Sequence, residues 1–410
     1  MGLIRSMLLR RRDAAAAAEA PAVVVGSADA LLYGTVIALI AFGVVMVYSA
    51  SAVFASQQYG DAYFFLKRQG IFALVALPLI VAIARIDYHL YRPFTYPLLA
   101  GVVGLMLVVV LGLGHTAGGA TRWIALGPIH VQPAEMAKVA LIFWLAYSLS
   151  KKREKIKSFS VGFLPHVLMA GLLMLLCLKQ PDFGSAVMIA LLTFVLLFTA
   201  GAKLGYLLGA VLAALPVIYG LIVSNPMRRR RVLGFLQPFE TRQDEGYQLW
   251  EAFLSYGSGG LDGVGIGDSR QKLFYLPEAH TDFISAIVAE ELGFLGVLLV
   301  IVAFVIVFVR GIRAAFRASD EYGTYLAVGI TMFLGLQAFT NLAVVMGMLP
   351  TKGLALPFLS YGGSSLLVNS AAVGVLLNVS RPRVREGTAV QGASAKGRAR
   401  PARELAGDAA

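Results

Sequence analysis

The chain has 410 residues, 58% of them hydrophobic and only 14% charged, with a formal net charge of +12. Soluble domains run about 45–50% apolar and about 25% charged, so this balance excludes an ordinary water-soluble globule and points to burial in lipid. The basic residues fall in short loops and tails between apolar runs, which argues against a nucleic-acid surface. The single cysteine, Cys177, excludes an intrachain disulfide framework or a cysteine metal site.

The opening stretch, "MGLIRSMLLRRRDAAAAAEAPA", is basic and then Ala-rich. It lacks the basic, apolar and small-residue order of a cleaved signal, and 1–30 reads as a retained disordered cytoplasmic tail. Ten apolar runs follow, at roughly 31–54, 70–86, 96–114, 134–150, 162–179, 183–201, 204–223, 283–310, 324–349 and 364–380. Runs of about 18–25 residues cross a hydrocarbon core about 30 Å thick. The alternating strands of a barrel are absent. The expected fold is therefore an all-α polytopic membrane protein of about ten transmembrane helices over 31–381, with 382–410 as a second disordered cytoplasmic tail.

Lys and Arg in short loops set the orientation. A cytoplasmic N-terminus gathers Arg10 to Arg12, Arg85, Arg92, "KKREKIK" (151–157), Lys203, Arg310, Arg313 and Arg317 inside, and an even number of spans returns the C-terminus to the same side. The stretch 224–282, between the seventh and eighth spans, then becomes a large extracytoplasmic loop. A connection this long is usually functional or disordered, and its Trp, Phe, Tyr and Leu at intervals favour order. Within it, "SYGSGGLDGVGIGDS" must turn sharply.

The candidate chemistry lies on that outer side. Arg228 to Arg231 oppose the charge bias of the other loops. They suit either lipid headgroups or a phosphate-bearing ligand, since the guanidinium fork matches phosphate oxygens. Lys67, Arg68 and Arg122 fall at the same level. In "TRWIALGPIHVQPAEMAK" (121–138), Gln132, Glu135 and Lys138 open the fourth span. Glu135 and Lys138 share a helix face, either as a salt-bridged helix start or as a functional intramembrane pair. Asp182 in "KQPDFGS" (179–185) reads as a helix cap that also permits a second role.

"QKLFYLPEAHTDFISAIVAEELGFLG" (271–296) places Glu278, His280 and Asp282 ahead of Glu290 and Glu291. Either the helix begins after the glutamates and they mark the membrane boundary, or it begins at Asp282 and carries them into the bilayer. His280 has no His or Cys at metal-ligand spacing. In "GMLPTKGLALPFLSYGGSS" (347–365), Lys352 sits in a structured outer loop, and Ser364 and Ser365 open the last helix as an anion site or a plain turn and cap.

These stretches, in order, resemble the SEDS family (shape, elongation, division and sporulation). The likeness covers roughly 31–381 and is carried by "RWIALGPIHVQPAEMAK", "KQPDFGSA", "RRRRVLGFLQPF" with "GYQL", "GSGGLDGVGIGDSRQKLFYLPEAHTDFI" with "EELG", and "LPTKGLALPFLSYGGSS". "SRQKLFYLPEAHTDF" and "PTKG" look like the division branch rather than the elongation branch. Ala134, Phe183 and Ser185 depart from the usual pattern without removing a titratable group.

The resemblance implies a peptidoglycan glycosyltransferase that polymerises lipid II during septal wall synthesis, at the outer face of the cytoplasmic membrane. It also implies a class B penicillin-binding protein and other division proteins as partners, membrane lipids around it, and no nucleic acid. The family's essential aspartate falls on Asp282. On that reading Asp282 is the catalytic base. Arg68, Arg122, Trp123, Gln132, Glu135, Lys138, Asp182, Arg228, Arg231, Glu278, His280, Lys352, Ser364 and Ser365 are the substrate-binding candidates. The resemblance fixes no cofactor; a divalent cation such as Mg2+ or Mn2+ would suit a diphosphate leaving group. A lipid II flippase and a non-enzymatic division scaffold are the alternative functions.

Overall fold

A computed structural model describes residues 23–117, 120–127, 129–273, 275–351 and 353–385. Asp29–Ser380 form one compact unit, and 23–28 with 381–385 are the described residues of a second, small one. In the small unit β1 (Val23–Val25) pairs antiparallel with β5 (Arg383–Arg385). Both strands fall in or beside stretches that the sequence marks as tails; the basic tail residues Arg10 to Arg12 lie outside the described residues.

The body is helical. Its helices are α1 (Ala30–Tyr59), α2 (Phe64–Arg85), α3 (Thr95–Val108), α4 (Pro133–Lys151), α5 (Leu164–Lys179), α6 (Phe183–Thr199), α7 (Leu204–Val223), α8 (Pro226–Leu236), α9 (Tyr247–Gly259), α10 (Ile284–Arg317), α11 (Glu321–Val345) and α12 (Gly363–Val379). Each of the ten apolar runs coincides with a helix. Among the described residues, seven helical segments, including α3 and α5 with their flanking turns, are long and apolar enough to cross a membrane. Two more, α6 and α12, are apolar but shorter. The remaining one, α4, has a largely buried face of small and apolar residues interrupted by Glu135 and Lys138. Helices α8 and α9 lie within the loop 224–282, so that loop is ordered, as its spaced aromatics suggested.

The chain's local chemistry sets these ends. Asp29 caps α1 by accepting from the Leu32 amide at 3.0 Å, and Gly60 closes α1 in the left-handed region with φ 69°. Pro133 occupies the first turn of α4, and Asn225 caps α8 through the Met227 and Arg228 amides. At one end of the bundle Asp29 pairs with Arg310 at 2.6 Å, Arg92 with Asp320, and Arg153 with Glu321. The basic loops assigned to the cytoplasm therefore share one end.

Helix α11 is the central element, buried along most of its length and packed against α10, α4, α6 and α12. Helix α2 lies along α12, and α1 along α2 and α10. Helix α7 is peripheral, with Leu207 its one buried residue.

Two features depart from a plain helical bundle. Between α3 and α4 the chain forms a three-stranded antiparallel sheet of β2 (His115–Ala117), β3 (Ala120–Leu126) and β4 (Ile129–Val131). Its alternating "TRWIAL" and the turn at Gly127 favour strands over an extended lead into α4. In addition, α10 is broken at Gly293, whose φ 64° and ψ −161° are not helical.

Candidate active site

Asp282 is half-buried at the entrance to α10, at the end of the bundle opposite the basic loops. Its backbone is held tightly. The Asn341 side-chain amide, from α11, donates to the Asp282 carbonyl at 2.7 Å and to the Leu354 carbonyl at 2.8 Å. Ser360 Oγ donates to the Thr281 carbonyl at 2.6 Å, and the Tyr361 amide donates to the His280 carbonyl at 2.9 Å. The segment before α10 is thus sewn to α11 and to the 354–361 loop.

Gly353 stands between the Asp282 carboxylate and Arg122. A Cβ added there would lie 3.1 Å from Asp282 Oδ2 and 3.7 Å from Arg122 Nη1. Arg122, on β3, is aimed by two carbonyls: its Nε donates to Gln180 at 3.3 Å and its Nη2 to Pro181 at 2.6 Å. Burial pushes the Asp282 carboxyl up to about 7, and the negative charge of Glu278 adds to the rise. Arg122 and Arg231 pull against it, while Asp182 reinforces it. Two cations and two further carboxylates therefore act electrostatically on Asp282 from β3, α8, the α5–α6 turn and its own loop.

The remaining candidates divide. Asp182 caps α6 through the Ser185 amide at 2.9 Å and hydroxyl at 2.7 Å, and also accepts from Gln132 Nε2 at 3.3 Å. It therefore links Gln132 to the Asp282 group. Lys138 is fully buried, 2.7 Å from Glu135 and over the Phe333 ring, and Gln337 Nε2 reaches Glu135 at 3.3 Å. This pair lies inside the bundle, and no described hydrogen bond or ion pair joins it to Asp282.

Of the α8 arginines, Arg231 alone is among the charges acting on Asp282. Arg228 donates to the Leu221 carbonyl at 3.1 Å and lies over Phe183, and Arg230 pairs with Glu245 at 3.4 Å. Lys67 pairs with Asp61 at 2.8 Å. Arg68 covers Phe64 at 4.3 Å and hydrogen-bonds Tyr361.

His280 is packed among Phe54, Phe65 and Tyr361. Burial lowers its pKa, which favours the neutral ring of a structural residue. Exposed Glu278 accepts from Thr281 Oγ1 at 2.6 Å. Trp123 pairs with His115 across the sheet and is half-buried. Ser364 and Ser365 open α12, where Ser365 Oγ accepts from Asn369. Lys352 lies outside the described residues.

Beside Arg231 a cleft of about 620 Å³ opens between α8, the start of α9 and the residues around Pro277 and Thr351. Asp244, Glu245, Tyr247 and Gln248 line it together with Arg230 and Arg231. Its charges balance, and its mix of carboxylates, an amide and a phenol ring suits a hydroxyl-rich ligand. Among the described residues, no group of three or more His, Cys, Asp or Glu is placed to hold a metal ion.

Sequence reasoning missed Asn341, which looks like one more residue of an apolar helix, and Ser360 and Gly353, which look like loop filler. A buried amide in a transmembrane helix was the available signal, because it must find partners.

Fold and site together define an integral membrane protein with its ionisable groups gathered at one mouth of a helical bundle. A family described as cell cycle protein, spanning FtsW, RodA and SpoVE, matches residues 29–385, and the chain belongs to it as an FtsW-like member. A Geobacter metallireducens protein named "Probable peptidoglycan glycosyltransferase FtsW" is 48% identical over 353 residues, covering 86% of this chain and 94% of the relative. Stage V sporulation protein E of Bacillus subtilis is 42% identical, covering 87% and 97%. A chain from a solved peptidoglycan synthase complex that coordinates polymerisation and crosslinking superposes with a TM-score of 0.71 at 28% identity, covering 86% of this chain and 97% of the other. RodA of Thermus thermophilus superposes with a TM-score of 0.64 at 27% identity, covering 86% and 96%.

Proposed function

We propose that this chain is a peptidoglycan glycosyltransferase of cell division, which polymerises lipid II at the outer face of the cytoplasmic membrane. The carrying observation is the placement of the Asp282 carboxyl beside Arg122 at Gly353 and within the field of Arg231, where burial pushes it up to about 7. A base poised near neutral pH can accept a proton and still be ionised often enough to act.

In the reaction, the acceptor sugar's 4-hydroxyl oxygen forms a bond to the donor's anomeric carbon, and its proton passes to Asp282. The bond from that carbon to the diphosphate oxygen breaks, and its electron pair leaves with the diphosphate. Arg122 and Arg231 offset the charge that develops there. Diphosphate is a good leaving group, so one carboxylate suffices, and a single displacement inverts the anomeric centre. The neutral cleft beside Arg231 takes the sugar body of a substrate, leaving the arginines for its diphosphate. Gln132 and Asp182 support this centre. Lys352 remains a binding candidate on the strength of its motif.

The partner in this reading is a class B penicillin-binding protein, with other division proteins around the pair. A solved relative from a complex that couples polymerisation to crosslinking supports it. The protein sits in the cytoplasmic membrane at the septum with both termini inside.

The test is polymerisation of labelled lipid II by the purified chain with its crosslinking partner. Asp282→Asn should lower the rate by about 10²–10⁴-fold, the range of general-base catalysis. Polymer formed at the normal rate by the folded variant would falsify the assignment. Lipid transport in vesicles without polymer would favour a flippase instead.

A further inference from the structure

Helix α10 carries two glutamates into the bundle. Glu290 is 2% and Glu291 0% exposed, and the mechanism above uses neither. Intramembrane ionisable groups are expensive and default to functional candidates. Their partners lie in one place.

Glu291 accepts from Ser49 Oγ of α1 at 2.6 and 2.7 Å and from Lys272 Nζ at 3.0 Å. Lys272 Nζ also reaches the Gly267 carbonyl at 2.5 Å and Ser49 Oγ at 3.5 Å, so its three donors all have acceptors. Glu290 accepts from Ser269 Oγ, from the Arg270 amide at 3.0 Å and from the Gln271 amide at 3.3 Å. The break at Gly293 is sealed from the same side. The Val264 and Gly265 amides donate to the Glu290 and Glu291 carbonyls at 2.9 and 3.1 Å, and the Phe294 and Leu295 amides donate to Gly260 and Leu261 at 2.9 and 3.2 Å. Irregular backbone is tolerated at membrane depth when protein satisfies it in this way.

The two ends of the 270–290 segment are thus tied together at depth, and Asp282 lies on the arc between them. We infer that Lys272, Glu290, Glu291 and Ser49 are positioning residues, a buried clasp that sets the depth and direction of the Asp282 carboxylate. The inference rests on the reading of Asp282 as the base. A buried ion pair adds little net stability over a well-packed apolar replacement, so stability alone does not account for one here. Geometry does, because a displacement of about 1 Å can cost about 10²-fold in rate. Ser49 also makes α1 part of the clasp, joining the first span to the catalytic loop.

The experiment uses the full chain with its crosslinking partner in nanodiscs. Lys272→Met with Glu291→Gln removes both charges and leaves neither one unpaired. Amide exchange without substrate should quicken at least about tenfold over 270–283 and not in α11, with the melting temperature kept. The kcat for labelled lipid II should fall at least about tenfold while KM stays within about twofold. Ser49→Ala, a mild change inside a helix, should move both readouts the same way by about threefold, and it decides the matter if the double variant does not fold. Unchanged exchange, or faster exchange with normal kcat, overturns the clasp. Exchange does not depend on which residue is the base. An active Asp282→Asn beside a loosened 270–283 segment would therefore sink the base assignment and leave the tether standing.

Discussion

At the scale of single residues, Asp282 shows how surroundings rather than residue type set reactivity. Burial first, and Glu278 second, raise its pKa, while Arg122 and Arg231 restrain the rise. The sign of the pH dependence follows. Below about pH 7 the carboxyl holds its proton and cannot accept another; above it the carboxylate is free to act, so kcat should climb along an acidic limb near pH 7. Arg122 lowers the pKa, so Arg122→Gln should move that limb to higher pH. Glu278 raises it, so Glu278→Gln should move the limb to lower pH. Rate profiles from pH 5 to 9 check this, reading the midpoint and not the plateau, because Arg122 also serves the leaving group. Limbs that move together, or do not move, would show that Asp282 is not the group titrating.

At the scale of elements, the broken α10 and the loop against it form one unit that depends on glycine. Gly263 has φ +82°, and a Cβ there would come within 2.2 Å of the Glu291 carbonyl oxygen. Gly293 has φ +64°, and a Cβ there would meet the Leu261 carbonyl oxygen at 2.4 Å. Neither backbone can shift without giving up the hydrogen bonds that close the break. Gly263→Ala should therefore cost more than the about 1–3 kcal/mol of a strained backbone position alone, and appear as a lower melting temperature in detergent. Gly267→Ala has positive φ but no neighbour within 4 Å, so it should cost less, and the difference between the two isolates the collision from the strain.

The same unit marks what the sequence could tell. Apolar length revealed the helices, because lipid imposes it. The glycine run showed that the chain must turn, but not what it turned against, since the partner carbonyls belong to a distant helix. Of the two helix starts left open around Glu290 and Glu291, the earlier fits: α10 starts at Ile284, ahead of both. Asp282, Arg122 and Arg231 were legible as charges on one face. Their convergence depends on Gly353 and Asn341, which carry no such signal. Lys138 was legible as an intramembrane cation, yet its pairing with Glu135 turns it inward.

At the scale of the whole molecule, orientation decides whether this site can meet its substrate. Ion pairs gather Asp29, Arg92, Arg153, Arg310, Asp320 and Glu321 at one end, and the Asp282 group lies at the other. In the proposed orientation, which follows the positive-inside rule, the first end is cytoplasmic. Two exposed positions distinguish the ends: Glu154, in the basic loop after α4, and Glu240, after α8. Cys177, the sole cysteine of the chain, is buried, so single cysteines introduced elsewhere can be read against a quiet background. In spheroplasts a membrane-impermeant maleimide should label Glu240→Cys at once and Glu154→Cys only after lysis. The reverse pattern would turn the bundle over and place Asp282 on the cytoplasmic side. Polymerisation at the outer face would then be untenable, because the carboxylate and its arginines would open into the wrong compartment.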